Sequence, residues 1–166
     1  MKNEQQMLLK QSRDITLHGV GAIAGAFQMA AGGGICFGSG GFLCPTFGIA
    51  FMLHGANNVY ENGRNLAQGR SDTQGPVRKV YQSAAKMMGG GEREGNMAYG
   101  AVDIGMSAFG AGRMVLKKDA WRLFRCVRTD YVQAYKQASK KALAVDVVSG
   151  SYTLKTMHSE SQRNDN

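Results

Sequence analysis

The segment His54-Gly55-Ala56-Asn57-Asn58-Val59-Tyr60-Glu61 holds the densest set of groups able to do chemistry in this chain. On a helix His54, Asn58 and Glu61 share one face, with Asn57 close by. An imidazole and a carboxylate so placed could act as general base and orienting group. They could equally hold Arg64 or Arg78 by hydrogen bonds, and a polar helix end that satisfies buried backbone is the plainer reading. Asp103 is a lone acid in an apolar stretch, where an ionisable group is usually paired or functional. Arg78 and Arg113 are its candidate partners. If the chain is an enzyme, His54, Asn58, Glu61, Arg78 and Asp103 are its candidate catalytic residues.

Other chemistries find little support. His18 and His158 complete no metal-ligand spacing, so no metal site is expected. Cys36, Cys44 and Cys126 are odd in number and form no CxxC, so a disulfide framework is not expected and all three read as reduced thiols. The run Gly32-Gly33-Gly34-Ile35-Cys36-Phe37-Gly38 lacks a Walker Lys-Ser/Thr and a Rossmann fingerprint. No cofactor is therefore expected.

The elements that must position these groups are divided by charge. Residues 15–60 contain no Lys, Arg, Asp or Glu, in a chain that is 19% charged. That length allows two passes of roughly 20 residues at about 1.5 Å rise per residue. Gly38-Ser39-Gly40-Gly41, with Pro45 beyond, supplies the turn. The run predicts helices over 15–37 and 45–60, joined as a hairpin. Gly21, Gly25 and Gly32 lie near one face of the first helix, and Gly48 joins them from the second. The Gly21-x-x-x-Gly25 spacing admits close approach of another backbone. A tight soluble helix pair is the alternative to a membrane-packed one.

Beyond the hairpin, Val77 to Met88 predicts an amphipathic helix closed by Gly89-Gly90-Gly91. Residues 97–116 form a second apolar helix in which Ala101, Gly105, Ala108 and Gly112 make one small-residue stripe, suited to packing on the hairpin. Asp119 suits the cap of an amphipathic helix over 119–148. Trp121, Arg122 and Arg125 on it read as an interfacial anchor. Residues 1–14 read as a polar N-terminal segment and 149–166 as a flexible tail. No strand pattern is visible. The expected fold is mainly α: a single domain over 1–166, a compact helical bundle built on a glycine-rich apolar hairpin.

Composition narrows the function. Glycine contributes 23 of 166 residues and proline two, which fits close helix packing better than collagen or a linker. The net charge of +8 draws the chain to anionic surfaces. Nothing matches a nucleic-acid motif, so an anionic lipid surface is favoured and no nucleic-acid partner is expected. No secretory signal peptide is visible, so export would use a route without a cleaved signal.

The series His54-Gly55-Ala56-Asn57-Asn58-Val59-Tyr60-Glu61, Gly75-Pro76-Val77-Arg78 with Tyr81, Val102-Asp103-Ile104 with Ser107, Trp121-Arg122-Leu123-Phe124 and Asp130-Tyr131 carries a resemblance over roughly residues 19–148. It resembles a bacterial domain-of-unknown-function family found at the C-terminal ends of Rhs-type and other polymorphic toxins and among type VI secretion cargo. The resemblance implies an antibacterial effector with a cognate immunity protein, and it brings no established catalytic residue. With the hairpin, it gives the expectation of a toxin made in the cytoplasm that inserts into the target cell's inner membrane and depolarises it through a small ion-conducting pore. A secretion chaperone or adaptor and a homo-oligomer in the membrane are the further partners expected. A soluble enzyme effector is the alternative.

Overall fold

Turn chemistry sets the element boundaries in the computed structural model, which describes residues 2–117 and 131–162. Helix α1 (Lys2–Gly38) ends where Gly40 and Gly41 take positive φ, a backbone region that side-chain-bearing residues avoid. Ser39 ties this turn: its hydroxyl donates to the Ile35 carbonyl at 2.7 Å and accepts from the Leu43 amide at 3.0 Å. A π-helical turn (Cys44–Gly48) carries Pro45 in its first turn and leads into α2 (Ile49–Gln68). Gly69, at φ 60°, closes α2. Next come α3 (Pro76–Met87) and α4 (Glu92–Gly112). Strands β1 (Met114–Leu116) and β2 (Tyr131–Gln133) pair antiparallel, with Val115 opposite Val132. Short α5 (Ala134–Gln137) and long α6 (Lys140–Gln162) complete the described chain.

The mainly helical fold expected from the pattern is present, and α1 and α2 form its principal pair. Their contact is backbone against backbone. A Cβ placed on Gly25 would stand 2.7 Å from the Gly55 carbonyl oxygen, and one on Gly32 would stand 2.6 Å from that of Gly48. At Gly21 the Asn62 amide occupies that space, also at 2.7 Å. Any larger residue forces the helices apart. Helix α3 packs on α4, and α6 lies across α1 and α4.

Several expectations are corrected. Residues 1–14 are not a separate segment, because α1 starts at Lys2 and continues without a break into the apolar run. The second apolar helix ends at Gly112, and residues 114–116 pair as a strand instead. The small-residue stripe on α4 does not meet the hairpin: Ala101, Gly105, Ala108 and Gly112 are exposed, with no atom within 4 Å of a Cβ at Gly105 or Gly112. Gly95 and Gly100, on the other side of α4, make its close approaches, to Gln82 and to Met157. The helix expected over 119–148 is interrupted at 131–139, where strand pairing and an extended Ala138 intervene. The tail is helical to Gln162, because Thr153 and Met157 pack against Gly100. Cys36 and Cys44 are not thiols but a disulfide, since the hairpin turn returns the chain to within 4.3 Å between Cα atoms. Trp121, Arg122 and Arg125 lie outside the described residues.

These contacts separate two glycines that the pattern treats alike. Gly25→Leu should destabilise the protein by about 1–3 kcal/mol or more through overpacking, whereas Gly105→Leu should change stability by less than about 0.5 kcal/mol. Urea unfolding followed by circular dichroism measures both.

Candidate functional site

The inward face of α2 carries a polar row, because His54, Asn57, Asn58, Glu61 and Asn65 recur at helical spacing. Here the five candidate residues converge. Glu61 sits at the centre of one half. Its Oε1 accepts from Asn57 Nδ2 at 2.9 Å, from the Gly75 amide at 2.7 Å and from Arg78 Nε at 2.8 Å. Its Oε2 accepts from Arg78 at 2.7 Å, which completes a two-pronged ion pair. Arg78 therefore takes the role left open between it and Arg64, whose guanidinium donates instead to Tyr60 at 2.7 Å. Asn57 Oδ1 accepts from the Val77 amide at 3.0 Å, so the start of α3 is clamped to α2.

Tyr99 joins the two halves. Its hydroxyl accepts from Asn57 Nδ2 at 3.0 Å and donates to Asn58 Oδ1 at 2.8 Å. The Arg78 guanidinium lies 4.5 Å from its ring centre. The His54 ring stacks on Tyr99 at 4.8 Å between centroids. In the second half, Asp103 Oδ1 accepts from Gln28 Nε2 at 3.0 Å and Asn58 Nδ2 at 3.1 Å. Asn58 also donates to Gln28 Oε1 at 3.2 Å. The carboxylate is thus held by amides, and the ion pair foreseen with Arg113 is absent among the described residues.

His54 is 4% exposed. Its Nε2 hydrogen-bonds the Tyr81 hydroxyl at 3.0 Å. Its Nδ1 faces Asp103 Oδ1 at 3.7 Å, too far for a hydrogen bond, and has no hydrogen-bond partner among the described residues. Burial first, and then the Asp103 charge, raise the Tyr81 hydroxyl above its ordinary pKa.

The arrangement does poorly as general acid–base machinery. Both Glu61 oxygens are occupied, and His54 is sealed under Tyr99. What it does well is hold α1, α2, α3 and α4 in register through a dense set of hydrogen bonds. Among the described residues, no group of three His, Cys, Asp or Glu is placed to bind a metal.

Sequence reasoning missed Gln28 and Tyr99, and named Tyr81 only within the family resemblance, without a role. Gln28 had a signal, being an amide in an otherwise uncharged apolar helix one turn beyond Gly25. Tyr99 had none, because only the packing of α4 brings it under His54.

Of the remaining sequence-designated positions, the four hairpin glycines are structural. Gly21, Gly25, Gly32 and Gly48 build the α1–α2 contact. In contrast to that buried seam, most of the hairpin's large apolar side chains are exposed, Ile35 and Phe51 excepted. Ile23, Phe27, Phe37, Phe42, Phe47 and Leu53 are exposed, with Phe37 at 91% and Phe42 at 85% on the turn.

A model of the family described as a protein of unknown function (DUF4225) matches residues 4–139. No curated protein and no solved structure matches the chain.

Two outcomes test this site. Glu61→Ala should cost about 3–5 kcal/mol, because it leaves Arg78 beside an emptied acceptor in a largely buried position; chemical denaturation measures it. For Tyr81 the folded pKa lies above the unfolded value of about 10, so its contribution to stability is present below pH 10 and fades as pH rises beyond. Ultraviolet titration at 295 nm should show several late-ionising tyrosines in the native protein, because burial raises Tyr99 and Tyr152 as well, and one fewer in Tyr81→Phe.

Proposed function

The chain belongs to the DUF4225 family, and from that premise we propose that it is an antibacterial effector that inserts into the target cell's inner membrane and depolarises it through a small ion-conducting pore. The observation that carries this reading is the inverted distribution of polarity. Among the described residues the buried apolar set is Ile35, Phe51 and Tyr99, while His18, His54, Asn57, Glu61, Asn65 and Gln82 are buried polar residues. Apart from Ile35 and Phe51, the hairpin leaves many large apolar side chains exposed, among them Ile23, Phe27, Phe37, Phe42, Phe47 and Leu53. One helix, Asn3–Gly38, is long and apolar enough to cross a membrane, and only 17% of its apolar window is buried by the rest of the protein.

The energetics suit a protein that travels in water and then enters lipid. Leu, Ile, Phe and Val each favour mid-bilayer insertion by about 0.3–0.6 kcal/mol, whereas a charge costs about 2.5–3.5. Eleven glycines within residues 15–60 keep the total modest. The net charge of +8 attracts anionic lipid. The toxin role, export without a cleaved signal, the immunity protein and a chaperone or adaptor covering the apolar face rest on the family resemblance. Assembly of several copies in the membrane is part of the same proposal. Exposed hydrophobic surface of this extent calls for a cover, lipid or protein.

The second reading is a soluble enzyme effector acting through His54, Asn58, Glu61, Arg78 and Asp103. The convergence of those five residues favours it; the saturation of Glu61 and the burial of His54 weigh against it.

Produced in susceptible bacteria, the protein should collapse the membrane potential early while a large impermeant dye stays outside. Ile23→Lys places a charge on the exposed apolar face, so it should abolish depolarisation with the fold unchanged. Killing with the potential intact until late would refute the pore and favour the enzyme.

A further inference from the structure

Two cavities meet inside the helical assembly. A polar one of about 390 Å³ is lined by His18, Asn62, Asn96 and Tyr99 among others, and an apolar one of about 240 Å³ by Ala24, Phe27, Phe51 and Leu143 among others. Asn58, Asp103 and Ser149 line both, and Gln28 lines the apolar one. The hydrogen-bonded pair Asn58–Asp103, with Gln28 behind it on the apolar side, therefore stands where the two cavities adjoin.

The charge at this junction is negative. On the polar side, Glu61 is paired with Arg78, and Asp72 with Arg70. Asp103 accepts hydrogen bonds from amides and from no guanidinium or ammonium among the described residues, with its side chain 15% exposed. On the apolar side, Asp146 adds a second carboxylate. His54, buried and with Nδ1 unpartnered, points at the same Asp103 oxygen from behind at 3.7 Å. Carboxylate oxygens are hard donors, the kind that replace water around an alkali cation.

We propose that the Asp103 carboxylate, held in place by the amide donors of Gln28 and Asn58, forms a constriction that selects monovalent cations along a path joining the two cavities. This rests on the pore reading and goes beyond it by naming the ion class and the residue that sets it. A carboxylate in a low-dielectric passage acts strongly on an ion a few ångströms away, while the +8 of the whole chain is spread and screened. Bulk charge predicts anion preference; the constriction predicts the opposite.

The test is conductance across planar bilayers of anionic lipid under a potassium chloride gradient, with reversal potentials for the wild type, Asp103→Asn, Asn58→Asp and Asp72→Asn. The wild type should prefer K⁺ over Cl⁻. Asp103→Asn, which keeps an acceptor for Asn58 and Gln28, should bring the permeability ratio towards one. Asn58→Asp should raise the ratio, and Asp72→Asn, outside the junction, should leave it unchanged. Wild-type currents whose ratio is insensitive to residues 58 and 103, or equally sensitive to residue 72, would overturn the constriction and leave the pore standing. Absence of wild-type current would overturn both.

Discussion

Where α1 crosses α2, the carbonyl oxygen of Gly25 stands 2.5 Å from the place a Cβ on residue 55 would occupy, and that of Gly55 stands 2.7 Å from the corresponding place on residue 25. Two helices can run this close only when neither carries a side chain at the crossing. The rest of the structure depends on that distance. It lets His18 Nδ1 reach Asn62 Oδ1 at 2.9 Å, and Gln28 reach both Asn58 and Asp103. A pair of ordinary width would leave those amides short of one another. The Cys36–Cys44 disulfide ties the same two segments at the turn.

From this close pairing follows the unusual interior. With glycine on the seam, little apolar volume is available to fill a core, and the buried space is taken by polar groups. Such groups are costly to bury unless they are satisfied, and most here are. Glu61 has its full set of donors. Asn57 bridges α2 to both α3 and α4. His54 Nδ1 stands apart, unsatisfied and next to the carboxylate at the junction of the two cavities. The apolar side chains that a conventional core would absorb remain outside, on the hairpin and its turn. Polar within and apolar without is the distribution expected where the surroundings are themselves apolar.

Much of the local plan was legible in the chain. The uncharged run, the Gly-Ser-Gly-Gly turn and the triple glycine after Met88 each act over a few residues, through turn and capping chemistry. The face shared by His54, Asn58 and Glu61 follows from helical spacing alone. Other assignments failed where distant contacts compete with local preference. Residues 149–162 are polar enough to read as a tail, yet Thr153 and Met157 find Gly100 and the helix persists. Residues 114–116 continue an apolar helix on paper, yet pair with 131–133. The cysteines looked unpaired because no CxxC is present; their pairing required the turn between them to close.

Spacing within a single helix thus determined which groups could share a face, because a helix repeats every 3.6 residues whatever surrounds it. It also determined that a hairpin free of charge would form. Tertiary structure alone decided which face of α4 turns inward, and hence that Gly95 and Gly100 make contact while Gly105 stays open. It decided that Arg78, not Arg64, meets Glu61, and that amides rather than a guanidinium hold Asp103. The physical reason is range. Turn and helix signals act over about four residues, whereas Gln28 and Asp103 are 75 apart in the chain and meet only once the helices have packed.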